Sequence, residues 1–327
     1  MLQHPQMKFS AKRKLVKFYS NPFIHRIMLF MKRLVLPGFQ KIPFWDVMKF
    51  FVESLIRGII FQRAAAMTYY IFIAAIPLFM ALIATVSFLS ASIQDNLIAF
   101  ITSAVPEYVL PSVERIINDL ILRQNGVILW LSLGFGVYLT FLSVNAIVNT
   151  LNITYFDMEQ RTLPKQILVS FTMVFVFFIT IITASGIFFG TSYLLYFIND
   201  EFIGSIQFYT YSLLFFKWAF LFVLLYLFLS ALFYFAPYNK KYFKFFSVGS
   251  IFSTLSLVVL LYALNFYFSH FSKYNLIYGS IGAILLIMLW LYWTSIVILI
   301  GFDLNVSICI ARQNSTNKLK IKSSIVK

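Results

Sequence analysis

Residues 166–199 read QILVSFTMVFVFFITIITASGIFFGTSYLLYFIN, 34 consecutive positions without a charge between Lys165 and Asp200. The hydrocarbon core of a bilayer is ~30 Å thick and a helix rises ~1.5 Å per residue, so ~20 apolar residues cross it once. This run is oily on every helical face, which predicts a membrane span and not a surface helix with one apolar stripe. It is too short for two spans joined by a turn. Charge-free gaps of the same kind recur along the chain: 31 positions at 64–94, 33 at 124–156, 28 at 245–272 and 29 at 274–302, with 202–239 interrupted only by Lys217. Trimming the polar ends gives six predicted spans near 66–90, 127–150, 167–192, 210–236, 246–268 and 276–302.

Composition agrees with this reading. Of 327 residues, 61% are hydrophobic and 11% charged, and the mean hydropathy is +0.86; soluble domains run at ~45–50% apolar and ~25% charged. These values exclude a soluble domain, a disordered chain and a collagen-like rod. A β-barrel is excluded by the absence of ~10-residue alternating segments. Cys309 is the single cysteine, so neither an intramolecular disulfide nor a four-cysteine zinc site can form. The first 43 residues are basic and mixed, without the ordered regions of a secretory signal.

The net charge of +15 is sided. With six spans both termini share one side, which carries 22 of the 26 Lys+Arg, whereas the other side holds Arg115, Arg123 and Lys273 against six acids. Positive charge concentrates in cytoplasmic segments, so both termini are expected in the cytoplasm. The basic face would meet anionic headgroups, and nucleic acid is not needed to explain it.

The expected organisation is a basic cytoplasmic segment 1–43, a membrane domain 44–307 and a basic tail 308–327. Within the domain, 44–63 (FWDVMKFFVESLIRGIIFQR) predicts an amphipathic helix at the interface. Asp46, Lys49, Glu53 and Arg57 recur on one side, and Phe44, Val47, Met48, Phe51, Leu55 and Ile59 on the other. A second amphipathic stretch, Pro111 to Asn125, falls in the first outer loop. The fold expected is therefore all-α: a polytopic six-helix bundle with an N-terminal interfacial helix.

Polar residues inside the spans are the candidate site. Asn145, Asn149 and Asn152 follow i, i+4, i+7 and share one helix face. An amide in hydrocarbon is costly unless paired, so this face should meet another helix, with Asn265 and Ser269 as candidate partners, or a wet pathway. Pro77 interrupts the first span and predicts a kink close to Tyr69 and Tyr70. Small residues (Ser132, Gly136 and Thr140; Gly186 and Gly190; Gly279 and Ala283) suit close helix crossings. Lys217 lies early in the fourth span, where its stem can snorkel outward. Asp303 and Asn305 close the sixth span in GFDLN. The acids are dispersed on both sides, and no phosphate loop, HExxH or GxSxG occurs. No catalytic residue, metal site or cofactor is therefore expected, and the chain does not read as an enzyme.

Several stretches in order resemble the YihY/virulence-factor BrkB family of bacterial inner-membrane proteins, once labelled ribonuclease BN. They are Ala64–Ala66 with Thr68–Tyr70 and Pro77, Leu151–Asn152 with Tyr155, Tyr278–Ala283, Trp290–Tyr292, and Gly301–Asn305. The chain differs from the family pattern at Asp303, where Glu is usual, and at Ile153, where a basic residue is common. The resemblance implies a six-helix bundle in the bacterial cytoplasmic (inner) membrane and transport of an unidentified, lipid-like substrate. Membrane lipids are then the expected partners, and a membrane-protein partner or a second copy fits as well. The alternative is a non-catalytic scaffold or subunit of envelope machinery, and an intramembrane nuclease or hydrolase ranks third.

Overall fold

The computed structural model describes residues 42–57, 59–86, 126–153, 162–201, 206–238, 243–270 and 280–325, with isolated positions between 32 and 39 and between 98 and 115. Seven helices are defined: α1 (Phe44–Arg57), α2 (Ile60–Val86), α3 (Gly126–Asn152), α4 (Leu163–Glu201), α5 (Ile206–Phe235), α6 (Val248–His270) and α7 (Ser280–Ile325). There is no strand among the described residues. Helices α2 to α7 each contain a stretch long and apolar enough to cross a membrane, six in all, and the all-helical six-span expectation holds.

The chain divides into two compact units, Met1–Gly58 with Asp303–Lys327, and Ile59–Phe302. In the larger unit, consecutive helices from α2 to α6 pack side by side, with α2 on α3 the most extensive contact among the described residues. The first half of α7 touches three of them. Ser295 meets Thr68 of α2, Ser253 of α6 donates to the Val297 carbonyl, and Phe302 packs edge-on against Phe233 of α5 at 5.6 Å. Phe302 also stacks on Phe243 at 6.2 Å, and it is fully buried.

Three boundaries depart from the sequence reading. The amphipathic helix ends at Arg57 and not at 63, and α2 starts at Ile60, six residues ahead of the expected 66. Ile59 separates them with φ of 44°, and its carbonyl accepts the Arg63 N–H as the first bond of α2. Arg63 marks a boundary in a count of charges, yet its side chain has a partner inside the bundle. At the other end, α7 continues through Asp303 and Asn305 to Ile325, for 46 residues. A few polar side chains lower hydropathy far more than they weaken a helix, and no Pro or Gly follows Gly301 to stop it.

In the smaller unit, Val47 and Ser54 of α1 are fully buried, seven positions apart on one face. The Ser54 hydroxyl donates to Asp303 Oδ2 at 3.0 Å. Val52 and Ile56 are exposed on a flank beside the charged edge of Asp46 and Lys49, which suits a helix between protein and lipid.

The glycines sort by neighbour. Gly136 is buried, and a Cβ there would touch Leu78 and the backbone of Pro77 at 3.4–3.6 Å, so the Pro77 region of α2 lies against this glycine. Gly186 and Gly190 face outward with nothing within 4 Å and are not crossing points, contrary to expectation. A Cβ on Gly301 would fall 1.8 Å from Ser253 Oγ and 2.7 Å from the Gly249 carbonyl oxygen. This α6–α7 contact is the tightest approach among the described glycines. The 111–125 stretch lies mostly outside the described residues, as do Gly279, the side chains of Ser132, Ser269 and Ala283, and nearly all of 1–41.

Candidate functional site

The polar side chains of the larger unit gather at one end, where α2 begins, α3 ends, α4 begins and α5 ends. Helix termini explain why. The last carbonyls of a helix lack partners in their own helix and carry partial negative charge. Arg63, 3% exposed in the first turn of α2, donates from Nε to the Thr150 carbonyl at 3.1 Å. Asn152 Nδ2 caps the same terminus by donating to its own Val148 carbonyl at 2.8 Å, and it reaches the Ala236 carbonyl just past α5 at 2.9 Å. Asn145 Oδ1, two turns earlier, accepts from Gln166 Nε2 at 3.1 Å and Ser170 Oγ at 3.0 Å, both in the opening turns of α4. The start of α6 is closed by a reciprocal Ser247–Ser250 pair, each hydroxyl accepting the other's backbone N–H at 3.2–3.3 Å. Thr68 bonds back to the Ala64 carbonyl at 2.8 Å and lies 3.4 Å from the Ser295 hydroxyl.

The three asparagines therefore do not serve one neighbour. Asn145 meets α4, Asn152 meets the end of α5, and Asn149 between them is exposed. The partners of Asn145 are Gln166 and Ser170 in place of the expected Asn265, whose side chain is exposed on α6. Helix α4 follows α3 after a short connection, so the neighbour in sequence takes the contact. Tyr69 and Tyr70 also face outward, their rings edge-on at 5.5 Å, while the Tyr70 carbonyl accepts the Ser143 hydroxyl. Lys217 does not extend freely: its Nζ lies 3.5 Å from the centroid of the Phe188 ring. Asp303 and Asn305 are buried in the smaller unit.

Residues absent from the sequence-based candidates carry much of this layer: Arg63, Gln166, Ser170, Thr68 and Ser295. A signal for some existed, since Arg63, Ala64, Met67 and Thr68 fall at i, i+1, i+4 and i+5 and all are buried. Two buried atoms of the larger unit, Asn152 Oδ1 and Ser230 Oγ, have no hydrogen-bond partner. Ser230 lies six residues before Ala236 on α5, about 9 Å along the axis. The layer offers amides, hydroxyls and one guanidinium, groups that bind hydroxyl and phosphate oxygens. Among the described residues no three of His, Cys, Asp and Glu gather into a metal-holding group.

Six apolar helices, four of them (α2 to α5) joined by hydrogen bonds among their ends, define a multi-pass helical membrane protein. The family model for the virulence factor BrkB matches residues 51–324, and the chain belongs to that family of membrane proteins. A Bacillus subtilis (strain 168) protein with a provisional ribonuclease-like name, YfkH, is 25% identical over 245 residues, covering 75% of this chain and 88% of that one. No solved structure matches the chain.

Proposed function

We propose that this protein is a non-enzymatic component of the bacterial cytoplasmic membrane that translocates an unidentified, lipid-like substrate. In this reading both termini face the cytoplasm, and the polar layer is the cytoplasmic mouth of the route. The observation that carries it is the pair of buried, unpartnered oxygens, Asn152 Oδ1 and Ser230 Oγ. A buried polar atom without a partner is costly, and native proteins rarely keep one without water or a ligand to meet it. An amide oxygen at the α3 terminus that Arg63 also meets, with a hydroxyl about 9 Å farther along α5, suits the passing glycerol or phosphate oxygens of a lipid headgroup.

Single cysteines at 145, 149, 152 and 230, in a Cys309→Ser background, test the reading with a membrane-impermeant thiol reagent. The reading expects 149, 152 and 230 to react from the cytoplasmic side; uniform protection of all four from both sides would remove the pathway. Ser230→Ala is the cleaner probe of role, because this hydroxyl makes no bond to lose. It should leave thermal stability unchanged or slightly raised while slowing translocation. A scaffold would instead keep full activity in Ser230→Ala and co-purify with another membrane protein.

A further inference from the structure

Lys217 is a cation inside an apolar helix, and its surroundings specify a partner. The polar layer fixes one membrane level, through Gln166 on α4 and Ala236 beyond α5. Phe188 lies 22 residues beyond Gln166 and Lys217 lies 19 residues before Ala236. These separations correspond to about 33 and 28 Å of helix, the thickness of a hydrocarbon core. Phe188 is also the last residue of the apolar stretch of α4, Leu163–Phe188. Phe188 therefore stands near the opposite hydrocarbon boundary, and Lys217, seven residues or about 10 Å inside the apolar stretch of α5 that begins at Thr210, reaches toward the lipid phosphates by snorkelling.

The ammonium rests on the Phe188 ring at 3.5 Å. A ring face attracts the charge but accepts only part of what three N–H donors require. On the other side of Lys217, Trp218 and Tyr211 lie about 100° and 120° round α5, on one flank, and both are more than 60% exposed. Aromatic side chains of this kind belong at the headgroup level.

We propose that Lys217, held by Phe188 and flanked by Tyr211 and Trp218, binds the phosphodiester of a phospholipid in the leaflet opposite the polar layer. The site is independent of translocation: a lipid can occupy it whether or not the protein moves one.

Wild type, Lys217→Met and Lys217→Arg, purified in detergent, are compared by native mass spectrometry and by thermal stabilisation. The probes are phosphatidylglycerol and a diacylglycerol with the same chains. Wild type and Lys217→Arg should retain phosphatidylglycerol, and Lys217→Met should bind it about tenfold more weakly, the loss of one charge-assisted hydrogen bond. Phe188→Leu, which keeps the charge and removes its support, should fall between them and carries the test if Lys217→Met is not monodisperse. Equal binding by wild type and both neutral or unsupported variants overturns the proposal, as does equal retention of phosphatidylglycerol and diacylglycerol. Displacement of the lipid by excess inorganic phosphate assigns the site to free anions and also overturns it. Loss of binding with translocation intact, or the reverse, separates this site from the proposed function.

Discussion

Arg63 shows how one side chain can hold two membrane helices. Its charge is tolerated because Nε meets a carbonyl at the negative end of α3, where the backbone needs a donor. Removing it takes a charge-assisted bond from the Thr150 carbonyl, so Arg63→Met should cost about 1.5–3 kcal/mol, read as a lower thermal midpoint in detergent. Arg63→Lys should recover part of that, since an ammonium can reach a carbonyl without the planar fork. An unchanged midpoint for Arg63→Met would show that the bond contributes nothing. Ile59 tests the backbone at the same junction. A β-branched residue at φ of 44° carries about 1–2 kcal/mol of strain that glycine lacks. Ile59→Gly should therefore raise the midpoint, against the usual effect of glycine, and a fall would mean that the lost apolar contact outweighs the strain. At this scale the sequence is a partial guide. The amides of Asn145 and Asn152 are visible as polar groups needing partners, but which helix supplies them depends on packing that a single face does not encode.

Among the elements, α7 and its crossing with α6 carry the most constraint. Gly249 and Ser253 on α6 admit Gly301 so closely that an added methyl would collide with a hydroxyl and a backbone carbonyl. Gly301→Ala should destabilise the protein by about 1–3 kcal/mol. Adding Ser253→Ala should rescue only part of this, because the Gly249 carbonyl still lies at 2.7 Å. Full rescue would show that the side chain alone sets the approach. The spans themselves are legible because uniform hydropathy over 20 or more residues has no other physical outlet. Helix ends are less so. The early start of α2 is hidden by Arg63, and the continuation of α7 by Asp303, Asn305 and Arg312, because charge marks a membrane boundary more readily than a helix boundary. The glycine pairs show the same limit: spacing on α4 suggests a crossing at Gly186 and Gly190, but their face looks outward.

At the scale of the whole molecule, charge asymmetry and structure address different questions. In the proposed orientation the basic side is cytoplasmic, and the polar layer at the ends of α2 to α5 lies at that face of the membrane. A fluorescent-protein fusion after Lys327 should fluoresce and a periplasmic phosphatase fusion there should be inactive; the opposite pattern would invert the topology. The family is readable from the order of several weak motifs, one of which contains Gly301, where α6 and α7 approach most closely. The substrate is not, because the groups that would meet it are amides and hydroxyls that also serve as caps. The central claim, that this bundle passes a lipid-like molecule, is tested most directly by leaflet exchange of a fluorescent phospholipid in proteoliposomes. The account predicts faster exchange than in protein-free vesicles and slower exchange with Ser230→Ala. Wild-type exchange no faster than in protein-free vesicles would contradict it.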